Sequence, residues 1–126
     1  MQQTLWIALG GALGSVARFG IADYLVTRHD TPPPYAILLI NATGSFLIGA
    51  CAALTAPGGR WSVSPDFRLF FMVGVCGGYT TFSSFSLQTF DLARGGAVLL
   101  AGLNVLGSVT LCLLAVWLGY RLGGRA

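Results

Sequence analysis

Four long apolar runs, joined by connections of only a few residues, constrain this chain more than any other feature of its sequence. A bilayer core about 30 Å thick takes about 20 helical residues to cross. The runs from Thr4 to about Thr27, Tyr35 to about Ala56, Asp66 to about Phe90 and Gly95 to about Tyr120 all reach that length. Hydrophobic residues make up 55% of the chain and charged ones 9%, where a soluble domain carries about 25% charged. Folded in water, such a chain would have almost no polar surface. Lys and Glu are absent, and the charges are seven Arg and four Asp, mostly gathered between the runs. The expectation is an all-α integral membrane protein whose residues 1–126 form a single four-helix transmembrane domain, helices about 4–27, 35–56, 66–90 and 95–120.

The first run lacks a basic stretch before it and carries Arg18 within it, so it reads as a retained helix rather than a cleaved secretory signal. A net charge of +3 would suit a nucleic acid, but no cluster of basic residues forms a patch, so no nucleic-acid partner is expected. Cys51, Cys76 and Cys112 lie in apolar runs at no metal-ligand spacing and read as small buried hydrophobes. The connections carry the usual punctuation: Arg28 to Pro34, Pro57 to Pro65, and Asp91 to Gly96. Ser64, Pro65 and Asp66 make a helix start, with a hydroxyl to cap it and a carboxylate in its first turn.

Four helices are few for enclosing a polar pathway, which favours self-association. Gly10 with Gly14, and Gly74 with Gly78, stand four apart. They fit close helix contact either between copies or within one chain. Orientation in the membrane follows Arg asymmetry. Arg60, Arg68, Arg121 and Arg125 fall on one side, and Arg28, Arg94 and the nearer Arg18 on the other. That near balance specifies insertion direction poorly, so insertion both ways round and an antiparallel homodimer are expected.

Polar residues inside a membrane are costly and are candidates for function. Here they are Arg18, Asn41, Thr43, Ser45, the Thr80–Ser86 cluster, Gln88, Asn104 and Ser108. None is a carboxylate, which leaves no proton relay or counter-ion for a cationic drug. Hydrogen-bond donors and one positive charge suit an anion. Catalysis is not expected either: His29, the only histidine, falls in a connection, and no serine or cysteine has a base in evident reach.

The strongest local signal is the run from Gly74 to Ser86. Gly77 and Gly78 weaken the third helix near mid-membrane, and the Thr/Ser run that follows can satisfy the backbone groups set free. Carbonyls exposed at such a break suit a small cation, while hydroxyls and the start of the second half-helix suit an anion. The alternative is a glycine packing seam with its hydroxyls bonded back to the i−4 carbonyls. Phe82 and Phe85, three apart, share a face, and their ring edges are electropositive.

Three stretches, in order, resemble the CrcB/Fluc fluoride channel family: Gly10 to Phe19, Asn41 to Gly49, and Gly77 to Ser86. The resemblance covers nearly the whole chain. It implies a dual-topology, multi-pass homodimer of the bacterial plasma (inner) membrane with two fluoride pathways. It also implies a structural Na⁺ at the dimer interface, held by the backbone carbonyls of Gly77 and Thr80. Phe82 and Phe85 match the pore-lining rings, Asn41 the pore-side amide and Arg18 the vestibule arginine. Ser83 and Ser84 match the polar stretch about the rings, which Ser108 continues on helix four. Two positions depart from the pattern, Gln88 where the family usually has Glu and Asn104 where it often has Tyr; both keep hydrogen-bonding groups. The function implied is passive export of cytoplasmic fluoride, giving fluoride resistance. The rivals are a non-conducting scaffold or accessory subunit, and a small-solute transporter, which would need an intramembrane carboxylate.

Overall fold

The computed structural model describes residues 1–29 and 35–124. Asp30 to Pro34 of the first connection, and Arg125 of the orientation count, lie outside the described residues. In chain order the elements are α1 (Gln2–His29), α2 (Ala36–Leu54), α3 (Pro65–Arg68), a π-helical segment (Leu69–Cys76), α4 (Gly77–Tyr79), α5 (Phe82–Arg94) and α6 (Val98–Gly123). Among the described residues there is no strand. Three of the helices, α1, α2 and α6, are long and apolar enough to cross a membrane. Helix α1 reaches His29, which was expected in the connection.

The ends of these helices follow from local chemistry. Ser64 caps α3, its Oγ accepting from the Phe67 N–H at 3.2 Å with Pro65 in the first helical position. At the far end of α5, Ala97 N–H donates to the Leu92 carbonyl (2.9 Å) and Gly96 N–H to that of Ala93 (3.1 Å). Gly96 has φ 86°, the left-handed value this closure requires and glycine supplies without strain. Helix α2 ends on Thr55, whose carbonyl and hydroxyl both accept from Arg68 Nη1 at 2.6 Å. That guanidinium therefore sits at the negative end of the α2 dipole and ties α2 to the start of the next helical stretch.

Two helix pairs build the molecule. Helix α1 lies along residues 65–79, and α2 lies along α6; α5 then packs on α6, and the π-helical segment touches α2. Glycines set the closeness of both pairs. A Cβ on Gly74 would come within 2.9 Å of Gly10 Cα, and one on Gly78 would strike the backbone of Gly11. Gly14 likewise faces the backbone of Val75 and Tyr79. In the second pair, Gly49 meets Val116 and Gly119 meets Phe46 and Ala50. The Gly10/Gly14 and Gly74/Gly78 pairs thus serve packing within one chain, one of the two uses open to them. Removing a Cβ lets the backbones approach and multiplies dispersion contacts where lipid offers no hydrophobic drive.

The helical path beginning at Pro65 leaves the helix at Thr80 (φ −82°, ψ 158°) and Thr81 (φ −149°, ψ 110°), then resumes at Phe82. The extended pair lies within the expected Gly74–Ser86 run, but the glycines thought to weaken the helix there stay helical. Gly77 is helical (φ −65°, ψ −38°), and Gly78 lies within α4 pressed against α1. The extended residues are instead two β-branched threonines, which favour such backbone. Upstream, the eight-residue π-helical stretch is wider than an α-helix, a local form often found near functional sites.

Candidate functional site

An extended pair of residues between two helices leaves backbone groups without helical partners, so the first matter is where those groups go. Thr81 is served by one side chain. Asn41, on α2, donates from Nδ2 to the Thr81 carbonyl at 3.1 Å and accepts from the Thr81 N–H on Oδ1 at 2.8 Å. The amide thus bonds both polar groups of one extended residue, as a neighbouring strand would. Thr81 also opens α5: its Oγ1 accepts from Ser84 N–H (3.2 Å) and donates to Ser84 Oγ (2.9 Å). Ser83 Oγ lies 3.3 Å from the same hydroxyl. Tyr79 and Thr43 join their hydroxyls at 2.9 Å, a second tie between α2 and the stretch before the interruption.

The carbonyls of residues 77–80 lose their helical donors because the backbone extends at Thr80 and Thr81. Thr81 N–H, which would have bonded Gly77, goes to Asn41, and Ser84 N–H, which would have bonded Thr80, goes to Thr81 Oγ1. The Gly78 carbonyl turns the other way, to α1, where Arg18 Nε donates to it at 3.2 Å and Ser15 Oγ at 3.4 Å.

Beside the interruption lies an open groove of about 410 Å³. Asn41, Gly77, Thr80, Phe82, Phe85 and Ser108 all line it, from α2, α4, the extended pair, α5 and α6. Phe85 is 8% exposed and Phe82 77%, with ring centroids 5.3 Å apart and planes at 52°. The buried ring is fixed by packing, and the other stands at the mouth. Ser108 is buried and brings its hydroxyl-bearing side chain to the groove from α6. Ser45 and Thr81, both among the intramembrane polar candidates, line the groove too. Ser45 stands four residues beyond Asn41 on one helix face.

The remaining candidates lie elsewhere. Ser84 and Gln88 line a second groove of about 670 Å³, together with Asp91. Asn104 Nδ2 donates to Thr89 Oγ1 at 2.8 Å and approaches Gln88 Oε1 at 3.4 Å, so α6 and α5 are joined there by neutral groups. Arg18 lines neither groove. Ser83 is exposed. Some hydroxyls follow the alternative of bonding back along their own helix: Thr80 to Cys76, Ser86 to Phe82 and Thr89 to Phe85. The lining of the first groove offers an amide, hydroxyls and ring edges with no carboxylate. That set can replace part of the hydration shell of a small anion without holding it by a fixed charge.

A family model described as "CrcB-like protein, Camphor Resistance (CrcB)" matches residues 5–120. Among curated proteins, the fluoride-specific ion channel FluC of Opitutus terrae is 53% identical over 120 residues, 95% of this chain and 91% of the relative. That of Paramagnetospirillum magneticum is 54% identical over 114 residues, 90% of this chain and 89% of the relative. The FluC channel of Thermus thermophilus is 46% identical over 124 residues, 98% and 95% respectively.

Proposed function

The chain belongs to the CrcB-like family, and on that premise we propose that it is a fluoride-selective channel through which cytoplasmic fluoride leaves the cell passively. It is an ion channel and not an enzyme, a multi-pass protein of the bacterial inner membrane. The observation that carries the reading is the meeting of Asn41, Phe82, Phe85 and Ser108 on one groove beside the extended Thr80–Thr81 pair. Fluoride is small, strongly hydrated and a strong hydrogen-bond acceptor. A row of neutral donors answers each of its lost water contacts weakly, so no single site holds the ion for long.

In this reading residues 65–79 and α5 together make a third crossing, interrupted near mid-membrane, and α6 the fourth. Two copies inserted in opposite directions pair over the open groove, each supplying half of the walls. The exposed Phe82 and the bare Gly77, where an added Cβ would meet nothing within 4 Å, support a partner on that face. Gly77 and Thr80 line the groove and their carbonyls lack their helical donors, a pair that would fit a hard cation such as Na⁺. Bound there, the ion would supply positive charge that joins the two copies. The Ser84, Gln88 and Asn104 groups form a continuation of the fluoride route, and Arg18 acts on it from the α1 side.

Proteoliposomes loaded with fluoride or chloride test the reading. Purified protein is expected to release fluoride quickly and chloride no faster than protein-free vesicles, and Phe82→Ile or Phe85→Ile to reduce the fluoride release sharply. Fluoride release at the protein-free rate from a well-folded dimer would point to the non-conducting scaffold, and unaltered flux in both variants would remove the rings from the mechanism.

A further inference from the structure

The Gly78 carbonyl is set apart from its neighbours in a way that the channel reading does not use. Of the carbonyls released at the interruption, those of Gly77 and Thr80 belong to residues lining the 410 Å³ groove, whereas Gly78 does not line it. Gly78 faces α1: an added Cβ would strike Gly11, and its carbonyl receives Arg18 Nε at 3.2 Å and Ser15 Oγ at 3.4 Å. A carbonyl oxygen has two lone pairs, and here two donors engage them, one of them charged. A charge-assisted bond is roughly twice as strong as a neutral one. In a medium of low dielectric it holds the carbonyl against rotation toward any other positive charge.

We infer that Arg18 is a positioning residue for the cation seat: by holding the Gly78 carbonyl on the α1 side, it limits the seat to the Gly77 and Thr80 carbonyls and so makes it discriminate Na⁺ from K⁺. This rests on the reading of those carbonyls as a cation seat. A seat restricted to few carbonyls in fixed directions suits the smaller ion. Were Gly78 free to swing inward, a third donor would join from each copy and the seat would open to a larger, more highly coordinated ion. The guanidinium works through the carbonyl it holds and touches neither the cation nor the anion. Its charge adds to the effect by opposing any drift of the cation toward α1.

Thermal unfolding of the purified dimer, titrated separately with NaCl and KCl at constant ionic strength, reads the seat without measuring transport. Wild-type protein is expected to be stabilised by Na⁺ at far lower concentration than by K⁺. Arg18→Gln is expected to lose that discrimination, with K⁺ stabilising it nearly as well as Na⁺. Arg18→Lys, which keeps a charged donor, is expected to retain it. An Arg18→Gln dimer that separates Na⁺ from K⁺ as the wild type does overturns the role given to Arg18 and leaves the seat standing. A wild type indifferent to both cations overturns the seat itself. Should Arg18→Gln fail to yield a dimer, Arg18→Met, which keeps a long side chain but has no donor, is read by the same titrations: lost discrimination supports the inference, and wild-type discrimination overturns it.

Discussion

Asn41 has two tasks that a single substitution can separate. Its amide bonds both the N–H and the carbonyl of Thr81, and the residue also lines the groove. Asn41→Ala strands two backbone groups, each costing about 1–3 kcal/mol if left unpaired, so a fall in the midpoint of thermal or chemical unfolding is expected. Asn41→Asp keeps the acceptor for Thr81 N–H but places a carboxylate at the groove wall. At 4 Å and an effective dielectric near 20, that charge opposes an anion by about 4 kcal/mol. Fluoride flux from Asn41→Asp vesicles is therefore expected to fall more than its stability does, and equal losses in the two would deny the amide a place on the ion route. Asn41 itself was legible as a costly polar group inside an apolar run and, through the family resemblance, as a pore-side amide. Its bonding to Thr81 was not, because the two residues are 40 apart in sequence and meet only through tertiary packing. The same holds for Arg18, whose tie to Gly78 spans 60 residues.

At the scale of elements, the apolar runs announced α1, α2 and α6, and Ser64 announced the start at Pro65. The extended backbone falls within the Gly74–Ser86 run, at its threonines and not at its adjacent glycines, for a physical reason. Glycine weakens a helix by about 1 kcal/mol through backbone entropy, which made Gly77–Gly78 the weak point in isolation. The contact of Gly78 with α1 keeps that turn helical, and the chain leaves the helix at the threonines that follow, where Asn41 takes up both backbone groups of Thr81. Glycines at the α1 contact are thus there for approach. Gly14→Ala and Gly78→Ala each drive a Cβ into facing backbone and are expected to destabilise the protein by about 1–3 kcal/mol. Gly107→Ala, where a Cβ meets nothing within 4 Å, is expected to be neutral or mildly stabilising. Chemical unfolding of the three variants in one detergent checks the ranking; equal effects would mean that the close approach of α1 to residues 65–79 adds no constraint.

For the whole molecule, many large apolar side chains remain exposed along α1 and α6, among them Leu9, Leu13, Leu99, Leu106 and Leu114. Lipid suits such surfaces, and the Tyr24–Arg28 and Trp117–Arg121 pairs at the helix ends, with guanidinium carbons 5.2 and 5.5 Å from the ring centroids, suit its interfaces. The Arg count stays near balance, and insertion in both directions is the proposal that follows. Single-cysteine reporters in the connection around Trp61, in a cysteine-free background, are expected to label about equally from either face of the membrane. Labelling from one face alone would refute dual topology while leaving transport untouched. The sequence could state that balance, but it could not state which face a second copy meets, since that depends on where the bare glycines and Phe82 come to lie after folding.

The doubly bonded amide at Thr81 has one more consequence. A joint between two rods normally flexes about its own axis, yet here the pin of the joint is carried by a third rod, α2. Bending residues 65–79 against α5 must therefore drag α2 along or snap both of its bonds at once. In the channel proposed for this groove, the passage beside the joint would be an orifice of set calibre, open without a flap to move, its selectivity resting on stiffness rather than on timing.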